Sequence, residues 1–156
     1  MGAGLYLHVP FCRRKCPYCN FYSVPAQPEL LTAYTAAVCR NLRHYGNAAH
    51  PERVDTVYFG GGTPSLLLPA QIAQILETAA EQFALSADAE ITLEANPATV
   101  TPEQLRELRH AGINRLSLGV QSLSDAQLKR LGRLHTAQEA VETVYAAAEA
   151  GFRNLS

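Results

Sequence analysis

Apolar alternation gives way to helical periodicity again and again along this chain, and that order limits the folds open to it. Residues 5–9 alternate with period two: Leu5, Leu7 and Val9 fall on one face, Tyr6 and His8 on the other. A loop follows. Pro28 then marks a helix start, and Leu31, Tyr34, Val38, Leu42 and Tyr45 recur at helical spacing until Gly46 and Asn47 stop it. Residues 54–59 read as a second strand, closed by Gly60-Gly61-Gly62-Thr63-Pro64. The next helix opens at Pro69 and carries Ile72, Ile75, Leu76, Ala79, Ala80 and Phe83 inward. Residues 90–95 form a third strand, ended by Asn96-Pro97. Thr101-Pro102-Glu103-Gln104 is a capping box with proline at the first helical position, and Gly112 closes that helix. Residues 115–120 form a fourth strand. Ser124-x-x-Gln127 and Thr136-x-x-Glu139 read as two more capping boxes. Val141, Val144, Tyr145 and Ala148 line the last helix, which Gly151 ends.

The order is β-loop-α four times over, with a fifth strand beginning in the last residues, GFRNLS. Such alternation predicts a parallel sheet with right-handed crossovers. The strand faces choose between architectures. One face of each strand is apolar: Leu5/Leu7/Val9, Val57/Phe59, Ile91/Leu93 and Leu116/Leu118/Val120. The other is polar or small: Tyr6/His8, Thr56/Tyr58, Thr92/Glu94 and Ser117/Gly119/Gln121. An open sheet covered by helices on both sides wants two apolar faces, and a packed closed barrel wants bulky aliphatic residues inside. The fold class expected is therefore α/β, a partial parallel (β/α) barrel with helices outside and a ligand in the lumen.

The loop after the first strand holds three cysteines, Cys12, Cys16 and Cys19, spaced C-x₃-C-x₂-C. Such spacing lets one loop turn several thiolates onto one centre. Thiolates are soft ligands, so the candidates are an iron–sulfur cluster or zinc, with His8 as a possible fourth zinc ligand. A four-iron cluster on three cysteines keeps one corner open for a substrate. A disulfide is disfavoured, because the spacings are tight and nothing marks the chain as secreted. Cys39 stands alone in a helical pattern and reads as a small packed side chain. His44, His50, His110 and His135 show no metal-binding spacing. Arg13, Arg14 and Lys15 make a basic run in the cysteine loop; the plain reading is a solvated loop.

The unusual residues all fall at the carboxyl ends of strands, the edge where parallel α/β folds bind ligands. The cysteines follow strand one, the glycines strand two, Glu94 ends strand three and Gln121 follows strand four. The glycine run leaves backbone N–H and C=O groups open to a ligand. Glu94 is a carboxylate on a polar strand face and needs partners: a ligand's hydroxyl or ammonium groups, or a nearby arginine.

At these residues the chain resembles a known family. C-x₃-C-x₂-C with Tyr18 before the last cysteine is similar to the cluster loop of radical S-adenosylmethionine (SAM) enzymes. The fuller string Tyr6-x-His8-x-Pro10-Phe11-Cys12 resembles the coproporphyrinogen dehydrogenase-like branch, which includes heme chaperones. The resemblance covers nearly the whole chain. It implies a [4Fe-4S] cluster on Cys12, Cys16 and Cys19, with SAM chelating the open iron and being cleaved to a 5′-deoxyadenosyl radical. It implies SAM contacts at Tyr6, Tyr18, Gly61, Gly62, Thr63, Glu94, Gln121 and Arg133, and no catalytic residue is assigned beyond these. It also implies a partial barrel of the radical SAM type, here truncated to about four β/α units. On that reading residues 1–156 are the N-terminal portion of a core domain, with its last strands and any C-terminal domain outside them.

Within the branch, Cys-Pro-Tyr-Cys-Asn-Phe resembles the heme chaperones, because Phe21 stands where the decarboxylating dehydrogenases carry a further cysteine. The resemblance implies heme or a porphyrin as cargo, a heme-receiving protein, and an electron donor such as a flavodoxin, which the basic run could meet. Two alternatives stay open: an oxygen-independent coproporphyrinogen III oxidase and a zinc-binding structural domain.

Bulk properties set the remaining bounds. A 156-residue chain that is 47% hydrophobic can bury a real core. A formal net charge of −1 gives no field toward nucleic acid or an anionic membrane. The opening MGAGLYLHVP is too short an apolar run for a signal peptide or a membrane span, and Tyr6 stands where a myristoylation signal wants Ser or Thr. These readings place the protein in a reducing cytoplasm.

Overall fold

The computed structural model describes residues 2–48 and 53–156; His50 lies outside them. Five strands form one parallel sheet: β1 (Ala3–Val9), β4 (Arg53–Gly61), β5 (Ala84–Ala95), β6 (Arg115–Leu118) and β7 (Asn154–Leu155), neighbours in that order. A second, two-stranded parallel sheet joins β2 (Phe11–Cys12) to β3 (Val24–Pro25). The helices are α1 (Pro28–Ala48), α2 (Pro69–Gln82), α3 (Pro102–His110), α4 (Asp125–Arg130) and α5 (Ala137–Glu149).

Strand order follows chain order, so each crossover adds its strand to the same edge. Right-handed crossovers in one direction put every helix on one face. A doubly wound sheet needs a reversal of strand order, and none occurs among the described strands. The helices accordingly stack in sequence, α1 on α2, α2 on α3 and α3 on α5. The parallel sheet and the one-sided helices agree with the expected partial barrel.

Register turns strand alternation into rows across the sheet. Leu7, Phe59, Leu93, Leu116 and Leu155 pair in succession and face the helices. The four before Leu155 are buried, Phe59, Leu93 and Leu116 with no exposed surface. Each such side chain contributes about 1.5–3 kcal/mol by leaving water. The row one residue earlier is Tyr6, Tyr58, Thr92, Arg115 and Asn154, on the opposite face. Cys39 is buried between α1 and α2, its Sγ 3.9 Å from the Gln74 carbonyl oxygen.

Several local expectations need correction. α1 runs through Gly46 and Asn47 to Ala48, so those residues do not stop it. Its Tyr45 is exposed, as is Ala80 on α2. β5 starts at Ala84 rather than residue 90; residues 86–89 interrupt its register with β4, which hides its first half from a period-two pattern. β6 ends at Leu118, before Gly119 and Val120. Thr101 and Thr136 cap their helices through Gln104 and Glu139, but Ser124 makes no side-chain cap. Ser122 holds that corner instead: its hydroxyl donates to Gln127 Oε1 at 2.5 Å and accepts from the Ser124 N–H at 3.1 Å. On α5 the inward residues are Ala140, Thr143 and Ala147, while Val141, Val144, Tyr145 and Ala148 are exposed.

Candidate functional site

The cysteine loop is tied at both ends. The Val24 N–H donates to the Pro10 carbonyl at 2.8 Å and the Ala26 N–H to the Cys12 carbonyl at 3.0 Å, which is the β2–β3 pairing. Inside the loop the Cys19 N–H closes a turn on the Cys16 carbonyl at 3.0 Å. The basic run serves the loop itself in part: Arg13 Nη1 donates to the Ala98 carbonyl at 2.7 Å and Lys15 Nζ to the Phe21 carbonyl at 3.2 Å. Cys12, Cys16 and Cys19 are free and half-buried, and all three line one cavity of about 390 Å³.

β4 runs on through Gly60 and Gly61, past the expected end at residue 59, and this glycine end of the strand with Gly62 forms the adjoining wall. Gly62 donates its N–H to the Val9 carbonyl at 2.8 Å, which ties the turn to the start of the cysteine loop. A Cβ at Gly62 would lie 2.6 Å from the Phe11 carbonyl oxygen. Gly61 adopts φ +112°, and a Cβ there would lie 2.6 Å from the His8 ring. The glycines therefore meet a demand from the fold itself as well as leaving backbone open toward the cavity.

Glu94 faces the lumen from β5. Its Oε1 accepts from the Tyr58 hydroxyl at 2.8 Å and its Oε2 from the Gly61 N–H at 3.1 Å. No arginine bridges to it among the described residues. Burial, then the bond to Glu94, raises the Tyr58 phenol above its ordinary pKa. Tyr6 is shifted upward too, by burial first and Glu94 second, although 59% of its surface is exposed. His8 bonds within the chain through both ring nitrogens. Its Nε2 lies 3.1 Å from the Tyr22 carbonyl, which can only accept, so Nε2 carries the proton. Nδ1 lies 3.1 Å from the Tyr6 hydroxyl, which can donate to it on that tautomer. Tyr34 of α1 donates to the His8 carbonyl at 2.7 Å, and burial pushes its phenol up to about 12.

Arg133 enters the cavity from the loop after α4. Nη1 donates to Cys16 Sγ at 3.6 Å, and Nη2 to the Gly119 carbonyl at 2.6 Å and to Asn96 Oδ1. Its Nε is buried with no hydrogen-bond partner among the described residues. A buried donor of that kind asks for an acceptor. Tyr18 stands beside Cys16 and Arg133, and burial raises its phenol, with Cys16 adding to the shift. Gln121 lines the cavity and has a positive φ, +66°, the only such non-glycine residue among the described residues. His135 Nε2 donates to the Val120 carbonyl at 3.1 Å, just before that strained residue. Burial lowers the His135 pKa.

Of the residues expected at the site, Cys12, Cys16, Cys19, Tyr18, Gly61, Gly62, Thr63, Glu94, Gln121 and Arg133 line this one cavity. Tyr6 lies outside its lining, on the lumen face beside Tyr58, the rings 6.1 Å apart. Sequence reasoning missed Asn96, which bonds both Thr63 and Arg133, and Tyr58 as the partner of Glu94. Tyr58 was legible in principle, two positions from Thr56 on the polar face; Asn96 carried no signal beyond its place at a strand end.

The cavity suits an anionic, sulfur-ligated centre and a charged cosubstrate. Three thiols share it with two donors directed at sulfur, Arg133 Nη1 and Thr63 Oγ1, the latter 3.6 Å from Cys12 Sγ. The orphaned Arg133 Nε awaits an acceptor such as a carboxylate. Three thiols of one loop lining one cavity are a donor set that fits a thiolate-held iron–sulfur cluster.

The family model of the radical SAM superfamily matches residues 6–156. The chain belongs to the radical SAM superfamily. Membership implies a [4Fe-4S] cluster and SAM. The chain is 41% identical over 154 residues to the heme chaperone HemW of Escherichia coli (strain K12), covering 98% of this chain and 41% of that protein. It is 44% identical over 143 residues to the mitochondrial radical S-adenosyl methionine domain-containing protein 1 of Mus musculus, covering 91% of this chain and 32% of that protein. Among solved structures, coproporphyrinogen III oxidase (HemN) from Escherichia coli superposes with a TM-score of 0.89 at 30% identity, over 97% of this chain and 35% of that one. This radical SAM chain is thus of the HemN/HemW type, and it spans well under half the length of the relatives it matches. No helix among the described residues is long and apolar enough to cross a membrane.

Proposed function

We propose that this chain carries a [4Fe-4S] cluster on Cys12, Cys16 and Cys19, binds SAM beside it, and belongs to a HemW-like heme chaperone of the reducing cytoplasm. The observation that carries the reading is convergence: the cysteine loop, the glycine turn, Glu94 and Arg133 come from four separate loops or strand ends to one cavity. When bound, the cluster and SAM together supply one-electron chemistry. The chain's own residues hold and orient them. Gly61, Gly62 and Thr63 offer backbone carbonyls, and Thr63 Oγ1 its remaining lone pair, to the ammonium end of SAM. Arg133 Nε offers a donor to its carboxylate. Glu94, already fixed by Tyr58 and Gly61, offers its remaining lone pairs to ribose hydroxyls or the ammonium. Tyr6, Tyr18 and Gln121 border this space.

Phe21 supports a chaperone over a decarboxylase. It stands where the decarboxylating branch carries a further cysteine, and it is 61% exposed, with Tyr22 beside it 72% exposed. Such a surface suits heme better than another thiolate ligand would. The second reading, an oxygen-independent coproporphyrinogen III oxidase, draws on the superposition with HemN. Heme delivery to a receiving protein and reduction by a flavodoxin-like donor belong to the same proposal.

The test uses the full-length protein, reconstituted anaerobically with iron and sulfide. A four-iron electron paramagnetic resonance signal that changes on adding SAM is expected, with heme binding and no consumption of coproporphyrinogen III. A signal indifferent to SAM would remove the SAM assignments; turnover of coproporphyrinogen would favour the oxidase; tight zinc without iron would end the radical SAM cofactor reading for this site.

A further inference from the structure

We propose that Asn96 aims two hydrogen-bond donors at the thiolates of Cys12 and Cys16, and so raises the reduction potential of the centre they hold. The inference rests on the cluster reading above. Asn96 sits just past β5, with its amide between Thr63 and Arg133. A guanidinium only donates, so the amide oxygen must face Arg133 Nη2. That leaves Nδ2 to donate to Thr63 Oγ1 at 3.2 Å. With a lone pair so occupied, the Thr63 hydroxyl proton is free for Cys12 Sγ at 3.6 Å. On the other side Arg133 Nη1 reaches Cys16 Sγ at 3.6 Å. One amide thus directs the Thr63 hydroxyl toward one sulfur and holds in place the guanidinium that donates to the other.

The amide is itself held. The Asn96 N–H donates to Thr99 Oγ1 at 3.3 Å, and the Thr99 hydroxyl donates back to the Asn96 carbonyl at 2.7 Å. Ser65 and Thr99 share a buried hydroxyl bond of 2.6 Å behind it. A Cβ at Gly119 would stand 2.7 Å from Asn96 Oδ1, so glycine there keeps the amide in place. The physical effect is on charge. A reduced cluster carries one more negative charge than the oxidised one, and donors to its sulfurs stabilise the more negative state. Asn96 is therefore a positioning residue: it touches neither sulfur and acts through Thr63 and Arg133.

The experiment is a redox titration of the cluster in the full-length reconstituted protein without SAM, followed by electron paramagnetic resonance. Thr63→Val keeps shape and removes one donor. Asn96→Asp replaces a donor with a carboxylate that only accepts, so the Thr63 hydroxyl turns toward it and away from Cys12. Both should lower the midpoint potential. A tenfold loss in the reduced-to-oxidised ratio corresponds to about 59 mV for a one-electron couple. Thr63→Ser, which retains the hydroxyl, should leave the potential at the wild-type value, a rescue that a purely packing role would not produce. If Asn96→Asp does not fold, Thr63→Val against Thr63→Ser decides. Fully occupied clusters with unshifted potentials in Thr63→Val and Asn96→Asp would overturn the inference alone. A wild-type protein that takes up no iron and sulfide would overturn the cluster reading as well.

Discussion

The two faces of the sheet are made by the same strands and do opposite work. Toward the helices, Val9, Val57, Phe59, Leu93 and Leu116 are sealed from water. Toward the lumen, Tyr6, His8, Tyr58 and Glu94 are only partly covered and bond one another or the backbone. Neighbours in sequence therefore differ completely in what they contribute. Phe59 is held by packing, where cost scales with lost volume; Tyr58 is held by one hydroxyl, where cost is that of one hydrogen bond. Because the strand period is two, the helix-side row also fixes which residues reach the lumen: a one-residue slip would bury Glu94 among aliphatics and expose Leu93.

Adjacent substitutions on β4 break the comparison most sharply. Phe59→Ala should destabilise the fold by about 3–5 kcal/mol, read as a lowered midpoint in urea unfolding. Gly61→Ala comes next. It needs φ +112° and collides with the His8 ring, so it should cost about 1–2 kcal/mol from backbone conformation alone. It should also displace the Gly61 N–H from Glu94, visible as weakened SAM binding by calorimetry. Tyr58→Phe keeps the ring and loses the hydroxyl to Glu94, for about 1 kcal/mol in the same unfolding assay. A cost near that of Phe59→Ala would show that the lumen face is packed like the helix face.

Smaller effects sharpen the boundary between the faces. Burial lowers the His135 pKa, so the native state binds its proton less readily than the unfolded chain. The associated stability is complete above the ordinary histidine value of about 6.5 and is lost as pH falls through the lowered native value. Thermal unfolding of wild type should thus weaken in mild acid, and His135→Gln, which can still donate to the Val120 carbonyl, should flatten that dependence. The smallest effect belongs to Tyr145→Ser on the outer side of α5. It should change stability of the 156-residue chain by under about 0.5 kcal/mol, because the ring is 68% exposed.

Much of this was legible in the residues, and the failures share a cause. Strand alternation gave the two faces along β1, β4 and β5, since period two needs only local residues; Leu118 and Val120, expected on the apolar face, line the cavity where β6 ends. The boxes at Thr101 and Thr136 are local and formed; the one at Ser124 lost to a competitor two residues earlier, Ser122. On α5 two stripes have helical spacing, Val141/Val144/Tyr145/Ala148 and Ala140/Thr143/Ala147. Hydrophobicity favours the first, yet the smaller second stripe is the buried one. The choice depends on the neighbouring elements, and small side chains allow their close approach.

What the sequence determined by itself was whatever is written at short range: the β/α order, the polar face, three thiols in one loop and the glycine turn after the second long strand. Tertiary structure decided how those parts address one another. Arg133 meets Cys16 across 117 residues of chain, Asn96 meets Arg133 across 37, and Thr63 meets Cys12 across 51. No periodicity encodes such pairs. A hydrogen bond depends on the direction and distance of two groups, and only the parallel sheet, by gathering its strand ends along one edge, brought these donors to these sulfurs.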